Sequence, residues 1–200
     1  MIYLLRHGEI DLQGQKVMVG QTDLPLSETG VCQAEQWREE FVGIGFDKIY
    51  CSDLKRSQET AQIIGMNRRE RIRVRPELRE MNLGEWEGFS RDRIKVCFPG
   101  EWERRGQDFE SYRPPGGESF GDLAKRVVPI FEEILRHSDK DVLIVGHAGV
   151  NRVILCHVLG IPLANLFRFS QDYASLNIIQ YEDGAGKVVL MNRPPLRSEG

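Results

Sequence analysis

Two short apolar runs in this chain end in the same way. LLRHGE, at 4–9, and IVGHAG, at 144–149, each carry a histidine beside a glycine where a strand would stop. A third segment, CSDLKRS at 51–57, puts Arg56 about one turn into the helix that follows it. These residue types suit one kind of chemistry. A guanidinium is a planar fork whose donors match two oxygens of a phosphate or carboxylate, and its charge survives any physiological pH. An imidazole that stays neutral offers an unprotonated nitrogen as base or nucleophile. Arg6, His7, Arg56 and His147 together would make a small, strongly positive pocket. The helix start after Ser52 is expected to add unpaired N–H groups and a positive dipole end. The glycines beside the two histidines are expected to let a ligand approach the backbone. A single histidine at a strand end is more often structural, and His137 and His157 read that way, at a helix end and on a helix face. The repetition singles out His7 and His147.

For those residues to meet, their strands must deliver them to one sheet edge. Ligands of open α/β sheets bind in the crevice at the carboxyl ends of the strands. The order of elements fits. MIYLL is a β-rich run, and LSETGVCQAEQWREEF spaces Val31, Ala34 and Phe41 along one helix face with Trp37 beside them and Ser27 as N-cap. FDKIYCS reads as a strand, DLKRSQETAQIIG as a helix with Leu54, Ala61 and Ile64 on one side and Gly65 as its stop, and RIRVRPEL as an edge-like strand. Residues 89–118 are polar, with Pro99, Pro114 and Pro115, and read as an excursion with short helices that caps a site. ESFGDLAKRVVPIFEEILRH returns to helical spacing; Ser119 and Asp122 resemble a capping pair, and Pro129 predicts a kink. DVLIVGH is a continuous apolar run suited to the centre of a parallel sheet. GVNRVILCHVLGI is the next helix, and YASLNIIQYEDGAGKVVLMNR reads as two strands around a glycine turn. The expectation is one α/β domain over residues 1–200, with 89–118 as a cap-like excursion.

Bulk properties narrow the partners. At 200 residues and 40% hydrophobic, the chain can bury the core of one globular domain. The net charge of −3 gives no global basic field for nucleic acid or anionic lipid, so an anion site must be a local cluster of cations. Cys32, Cys51, Cys97 and Cys156 form no C-x-x-C and read as reduced core thiols of a cytoplasmic protein. Arg6 cuts the first apolar run short, so neither a signal peptide nor a membrane span is expected.

With these residues in view, the sequence resembles the histidine phosphatase superfamily, the group that includes cofactor-dependent phosphoglycerate mutases. The resemblance rests on LLRHGE at 4–9, GQTDLPLSETG at 20–30, CSDLKRSQETA at 51–61, LREMNLGEWEG at 78–88, PGGES at 115–119 and VGHAGVNR at 145–152. It implies a three-layer sandwich, a mostly parallel central sheet with helices on both faces. It implies His7 as the nucleophile that becomes a phosphohistidine, with its other nitrogen protonated and bonded to a backbone carbonyl. Arg6, Arg56 and His147 would hold the phosphoryl oxygens, and the N–H of Ala148 would add a donor. Gln21 is carried over as substrate-binding. Composition does not choose among Glu77, Glu80, Glu85 and Glu87; only the family's pattern selects Glu80 as general acid and then base, leaving Glu87 and Trp86 structural.

One departure concerns the position six residues after the nucleophile, an asparagine in many relatives and Gln13 here, whose extra methylene shifts its reach toward phosphate. No metal and no other cofactor is expected, because arginines and histidines supply the positive charge. The implied reaction is hydrolysis of a small phosphomonoester. The compact length, GQTDLPLS and the tail LGIPLANLFRFSQDYASLNII most resemble the family's α-ribazole phosphatases, which implies α-ribazole 5′-phosphate as a candidate substrate. A phosphoglycerate mutase is the alternative. It would need a closed pocket and basic groups for a second acidic group; Arg91, Arg93, Lys95, Arg104, Arg105 and Arg113 of the excursion stand among many acids and read as a solvated face, and position 19, often serine in mutases, is valine here. A non-catalytic binding member would need a lost catalytic position, and none is lost. The expected partner is a small molecule, with no nucleic acid and no membrane, the chain being a monomer or homodimer.

Overall fold

The computed structural model describes residues 1–196 apart from 67, 139 and 183. The last four residues of the expected domain, and position 183 of the expected glycine turn, lie outside the described residues. The strands are β1 (Ile2–Arg6), β2 (Lys48–Cys51), β3 (Ile72–Val74), β4 (Val142–Gly146), β5 (Leu176–Glu182) and β6 (Ala185–Arg193). They form one sheet in the order β3-β2-β4-β1-β5-β6. β1 pairs in parallel with β4, β4 with β2 and β2 with β3, while β5 runs antiparallel to both β1 and β6.

The helices are α1 (Glu28–Glu40), α2 (Lys55–Ile64), α3 (Arg91–Cys97), α4 (Glu101–Gln107), α5 (Phe120–Arg136) and α6 (Ala148–Leu159). Alternation along the strands assigns them to two faces. Leu4, Val142 and Ile144 share a core cluster with Leu123, Phe131, Val150 and Ile154 of α5 and α6, whereas Leu5, Leu143 and Val145 cluster with Trp37 of α1 and Ala61 of α2. Period-two side chains on strands buried from both sides give the expected three layers. Every residue of β4 is buried. Each such aliphatic side chain contributes about 1.5–3 kcal/mol of transfer free energy.

Helix ends follow local chemistry. Ser27 accepts the Gly30 N–H at the start of α1, and Ser119 and Asp122 form a full capping box on α5. α5 continues through Pro129, so the proline does not end it. Two details differ from expectation. Val31 is exposed, because the buried stripe of α1 runs through Gly30, Ala34 and Trp37. Cys51 and Cys156 are core thiols, but Cys32 and Cys97 lie on the surface; all four are free. Residues 89–118 do carry two short helices, α3 and α4. They are less polar in effect than in composition, because Phe89, Phe98, Trp102, Phe109 and Tyr112 pack against the core around buried Trp86 and Ile94. Among the described residues no helix is long and apolar enough to cross a membrane.

Candidate active site

The register of the sheet brings the strand ends together. Arg6 is paired with Gly146, and Cys51 with Val145, so His7, His147 and Ser52 leave three adjacent parallel strands at one edge. A cavity of about 260 Å³ opens there. Its wall includes Arg6, His7, Arg56, Glu80 and Ala148 of the expected set, together with Val19. His147 is fully buried behind that wall, its ring centroid 5.0 Å from that of His7. Gln13 is exposed, with its backbone N–H bonded to Asp11, and Gln21 donates from its side chain to the Glu80 carbonyl at 3.0 Å; neither lines the cavity.

His7 is 3% exposed, which decides its charge state. Burial, and then the guanidiniums of Arg6 and Arg56, hold its imidazole well below the usual histidine range, so it is neutral at pH 7. Nδ1 lies 2.7 Å from the Gly8 carbonyl. A carbonyl only accepts, so Nδ1 carries the proton and Nε2 keeps its lone pair.

His147 is likewise held well below its usual range, first by burial and then by His7, Arg56 and Arg6. Its Nε2 lies 2.7 Å from the Ser52 hydroxyl, which also accepts the Leu54 N–H at 3.3 Å. A Ser52 hydroxyl that donates to Nε2 leaves the proton on Nδ1. Nδ1 is buried and has no hydrogen-bond partner among the described residues.

The arginines are fixed by carbonyls rather than carboxylates. Arg6 donates to the Gln171 carbonyl at 2.7 Å and stacks 3.8 Å above the Tyr173 ring. Arg56, only 1% exposed, donates to the carbonyls of Thr22 and Gly20. Carbonyls orient a guanidinium without neutralising it, so both charges remain for an anion. Glu80 accepts the N–H groups of Met81 and Gly149. A Cβ at position 149 would crowd the Glu80 carboxylate and force it to shift. Glu87 instead ties the 20–22 loop by accepting from Gly20, Gln21 and Thr22.

Two expectations need correction. The glycines beside the histidines make room for protein, not ligand: a Cβ on Gly8 would stand 2.5 Å from the Gly30 carbonyl oxygen, and one on Gly146 2.5 Å from the Asn151 side-chain amide. The start of α2 is not free either, because Lys55 N–H is bonded to Asp23. The helix terminus that reaches the cavity is that of α6, at Ala148 and Gly149.

Sequence reasoning missed Ser52, Tyr173 and Arg152, and it read Arg105 with its charged neighbours as a solvated face. Ser52 sits at a strand end inside CSDLKRS, and Arg152 follows Ala148 by four residues on one helix face, so both had a positional signal. Tyr173 had none.

A family model for the histidine phosphatase superfamily, branch 1, matches residues 2–194. The adenosylcobalamin/alpha-ribazole phosphatase of Escherichia coli (strain K12) is 25% identical over 192 residues, covering 96% of this chain and 95% of that protein. The glucosyl-3-phosphoglycerate phosphatase of Mycobacterium tuberculosis (strain ATCC 25618 / H37Rv) is 32% identical over 173 residues, 82% of this chain and 77% of that one. Among solved structures, a mycobacterial glucosyl-3-phosphoglycerate phosphatase in complex with VO3 superposes with a TM-score of 0.85 at 29% identity, covering 96% of this chain and 98% of the other.

Proposed function

The chain belongs to the histidine phosphatase superfamily and is a phosphoric monoester hydrolase, and we propose that it works through a phosphohistidine formed on His7. The observation that carries this is the neutral, buried imidazole of His7, its Nδ1 proton engaged by the Gly8 carbonyl and its Nε2 free. Nε2 attacks phosphorus as the bond to the leaving oxygen breaks. Arg6 and Arg56 hold the phosphoryl oxygens, and His147 Nδ1–H and the Ala148 N–H donate to them as charge spreads in transfer. Glu80 gives its proton to the leaving alkoxide. It then takes one from the water that attacks the phosphohistidine, releasing phosphate and restoring His7.

Residues 1–200 act as one catalytic domain, with 89–118 as its cap. The reduced thiols favour the cytoplasm as its compartment. The substrate is a small phosphorylated metabolite; the relatives' names put forward α-ribazole 5′-phosphate and glucosyl-3-phosphoglycerate. Rapid quenching with a radiolabelled phosphomonoester tests the mechanism. An acid-labile, base-stable phosphoenzyme is expected, and it should vanish together with turnover in His7→Ala. Undiminished labelling of that variant would place the nucleophile elsewhere.

A further inference from the structure

Building on the reading of Arg6 as a holder of phosphoryl oxygens, we infer that Asn192, on the edge strand β6, is a positioning residue for that arginine. It acts through Asp172, Gln171 and Asn177. None of these four lines the cavity.

Arg6 has few contacts of its own. Its guanidinium donates to the Gln171 carbonyl at 2.7 Å and lies 3.8 Å from the centre of the Tyr173 ring. Its Nε is buried without a partner among the described residues, and the side chain forms no ion pair among them. Both contacts belong to the segment 170–175, so where that segment stands decides where the arginine points. The same segment is bonded to the end of β1. Arg6 N–H donates to the Ser175 carbonyl at 2.9 Å, and Ala174 N–H donates to the His7 carbonyl at 3.0 Å. Buried Ala174 is held at a φ of 52°, in the left-handed region that costs an alanine free energy. A strained segment keeps its shape only when its surroundings impose it.

Amides impose it here. Asn177, fully buried on β5, donates from Nδ2 to the Leu4 carbonyl and accepts the Asn192 N–H on Oδ1, both at 3.0 Å. A carbonyl only accepts and an N–H only donates, so this amide has one possible orientation. The Gln171 amide faces it in a reciprocal pair, with bonds of 2.8 and 2.9 Å. Asn192 adds a second grip. It falls where the pairing of β5 with β6 shifts register, between Leu190 and Arg193, and its φ is 54°. Asparagine tolerates that region better than other residues with a side chain. So turned, its Oδ1 accepts the Asp172 N–H at 2.8 Å and its Nδ2 donates to Asp172 Oδ2 at 2.7 Å. Asp172 lies between Gln171 and Tyr173, the two residues that hold Arg6. One asparagine thus grips the arginine's holder twice, by its N–H through Asn177 and by its side chain at Asp172.

The test is a double-mutant cycle on kcat/KM for p-nitrophenyl phosphate, with thermal melts to confirm folding. Asn192→Gly keeps the left-handed backbone and the N–H to Asn177 but removes the clasp on Asp172. It should lower kcat/KM about fivefold or more when Arg6 is present and by less than about twofold when Arg6 is alanine, because residues of one network couple whereas independent sites add. Asp172→Ala should cost about threefold or more, whereas Asp172→Asn, which removes the charge and keeps the acceptor, should stay within about twofold of wild type. Should Asn192→Gly fail to fold, the two Asp172 variants decide the matter. Wild-type kinetics in a folded Asn192→Gly, an equal loss with and without Arg6, or equal damage from Asp172→Asn and Asp172→Ala would overturn the positioning role while leaving Arg6 in the site. An Arg6→Ala enzyme as active as wild type would overturn the reading of Arg6, and this inference with it.

Discussion

Replacing Ser52 by alanine removes one hydroxyl that touches no substrate, and its effect on catalysis can be worked from the geometry. The hydroxyl stands 2.7 Å from His147 Nε2 and accepts the Leu54 N–H, and both Ser52 and His147 are fully buried. Without it nothing fixes Nε2 as the acceptor, so the tautomer with its proton on Nδ1 loses its bias. The buried nitrogen is also left unsatisfied. Losing one partner of a buried hydrogen bond costs about 1–3 kcal/mol. If the loss falls on the phosphoryl-binding tautomer, kcat/KM drops roughly 5- to 160-fold, since each 1.36 kcal/mol is a factor of ten. Steady-state kinetics beside a thermal melt would separate this from unfolding, and Ser52→Thr, which keeps the hydroxyl, should recover much of the rate. A folded Ser52→Ala enzyme within about twofold of wild-type kcat/KM would refute the tautomer assignment.

Three further outcomes follow from the same site. His7 and His147 are held below their unfolded value of about 6.5, so below that pH the unfolded chain binds two more protons than the folded one. Stability should therefore fall as pH drops from 6.5 toward 5, with a slope of up to about 2.7 kcal/mol per pH unit. Melting midpoints would show it: His7→Gln should halve the slope, and a flat wild-type profile would count against two neutral buried imidazoles. Glu80→Gln should slow alkyl phosphates at least about tenfold more than p-nitrophenyl phosphate, whose leaving group departs unprotonated; equal damage to both would remove Glu80 from proton transfer. Exhaustive chelation should leave phosphate release intact, because Arg6 and Arg56 carry the positive charge; loss restored by a divalent ion would contradict that.

What was legible in the sequence is what the parallel sheet itself dictates. Arg6, His7 and His147 end apolar runs, and once those runs are neighbours in register their ends must coincide. Arg56 followed for the same reason, one turn beyond Cys51. Glu80 could not be separated from Glu77, Glu85 and Glu87 by spacing, because its carboxylate reaches the cavity through irregular chain, where no period exists to count. Arg105 was hidden by its company: in sequence it is one of a charged pair on a polar excursion, and only the folded chain shows Arg104 turned to solvent and Arg105 set among rings. Gln171 and Tyr173, which hold and cover Arg6, lie 165 and 167 residues further along, beyond any local pattern.

The central place of β1 has a consequence for how the protein is made. β1 is made before the other five strands of its sheet, yet its partner Val142 stands 140 positions downstream of Ile2, and its other neighbour, β5, is later still. At synthesis rates of about 5–20 residues per second, the strand that ends in Arg6 waits roughly 7–28 s for its first partner. Through that interval Ile2, Leu4 and Leu5 have no sheet to join, which makes the nascent chain a ready client for chaperones that bind exposed apolar segments. The histidine proposed as nucleophile is thus translated long before it is housed. An arrested chain that stops before β4 carries Arg6, His7, Arg56 and Glu80 but lacks His147, Ala148 and the strand that sets them beside His7.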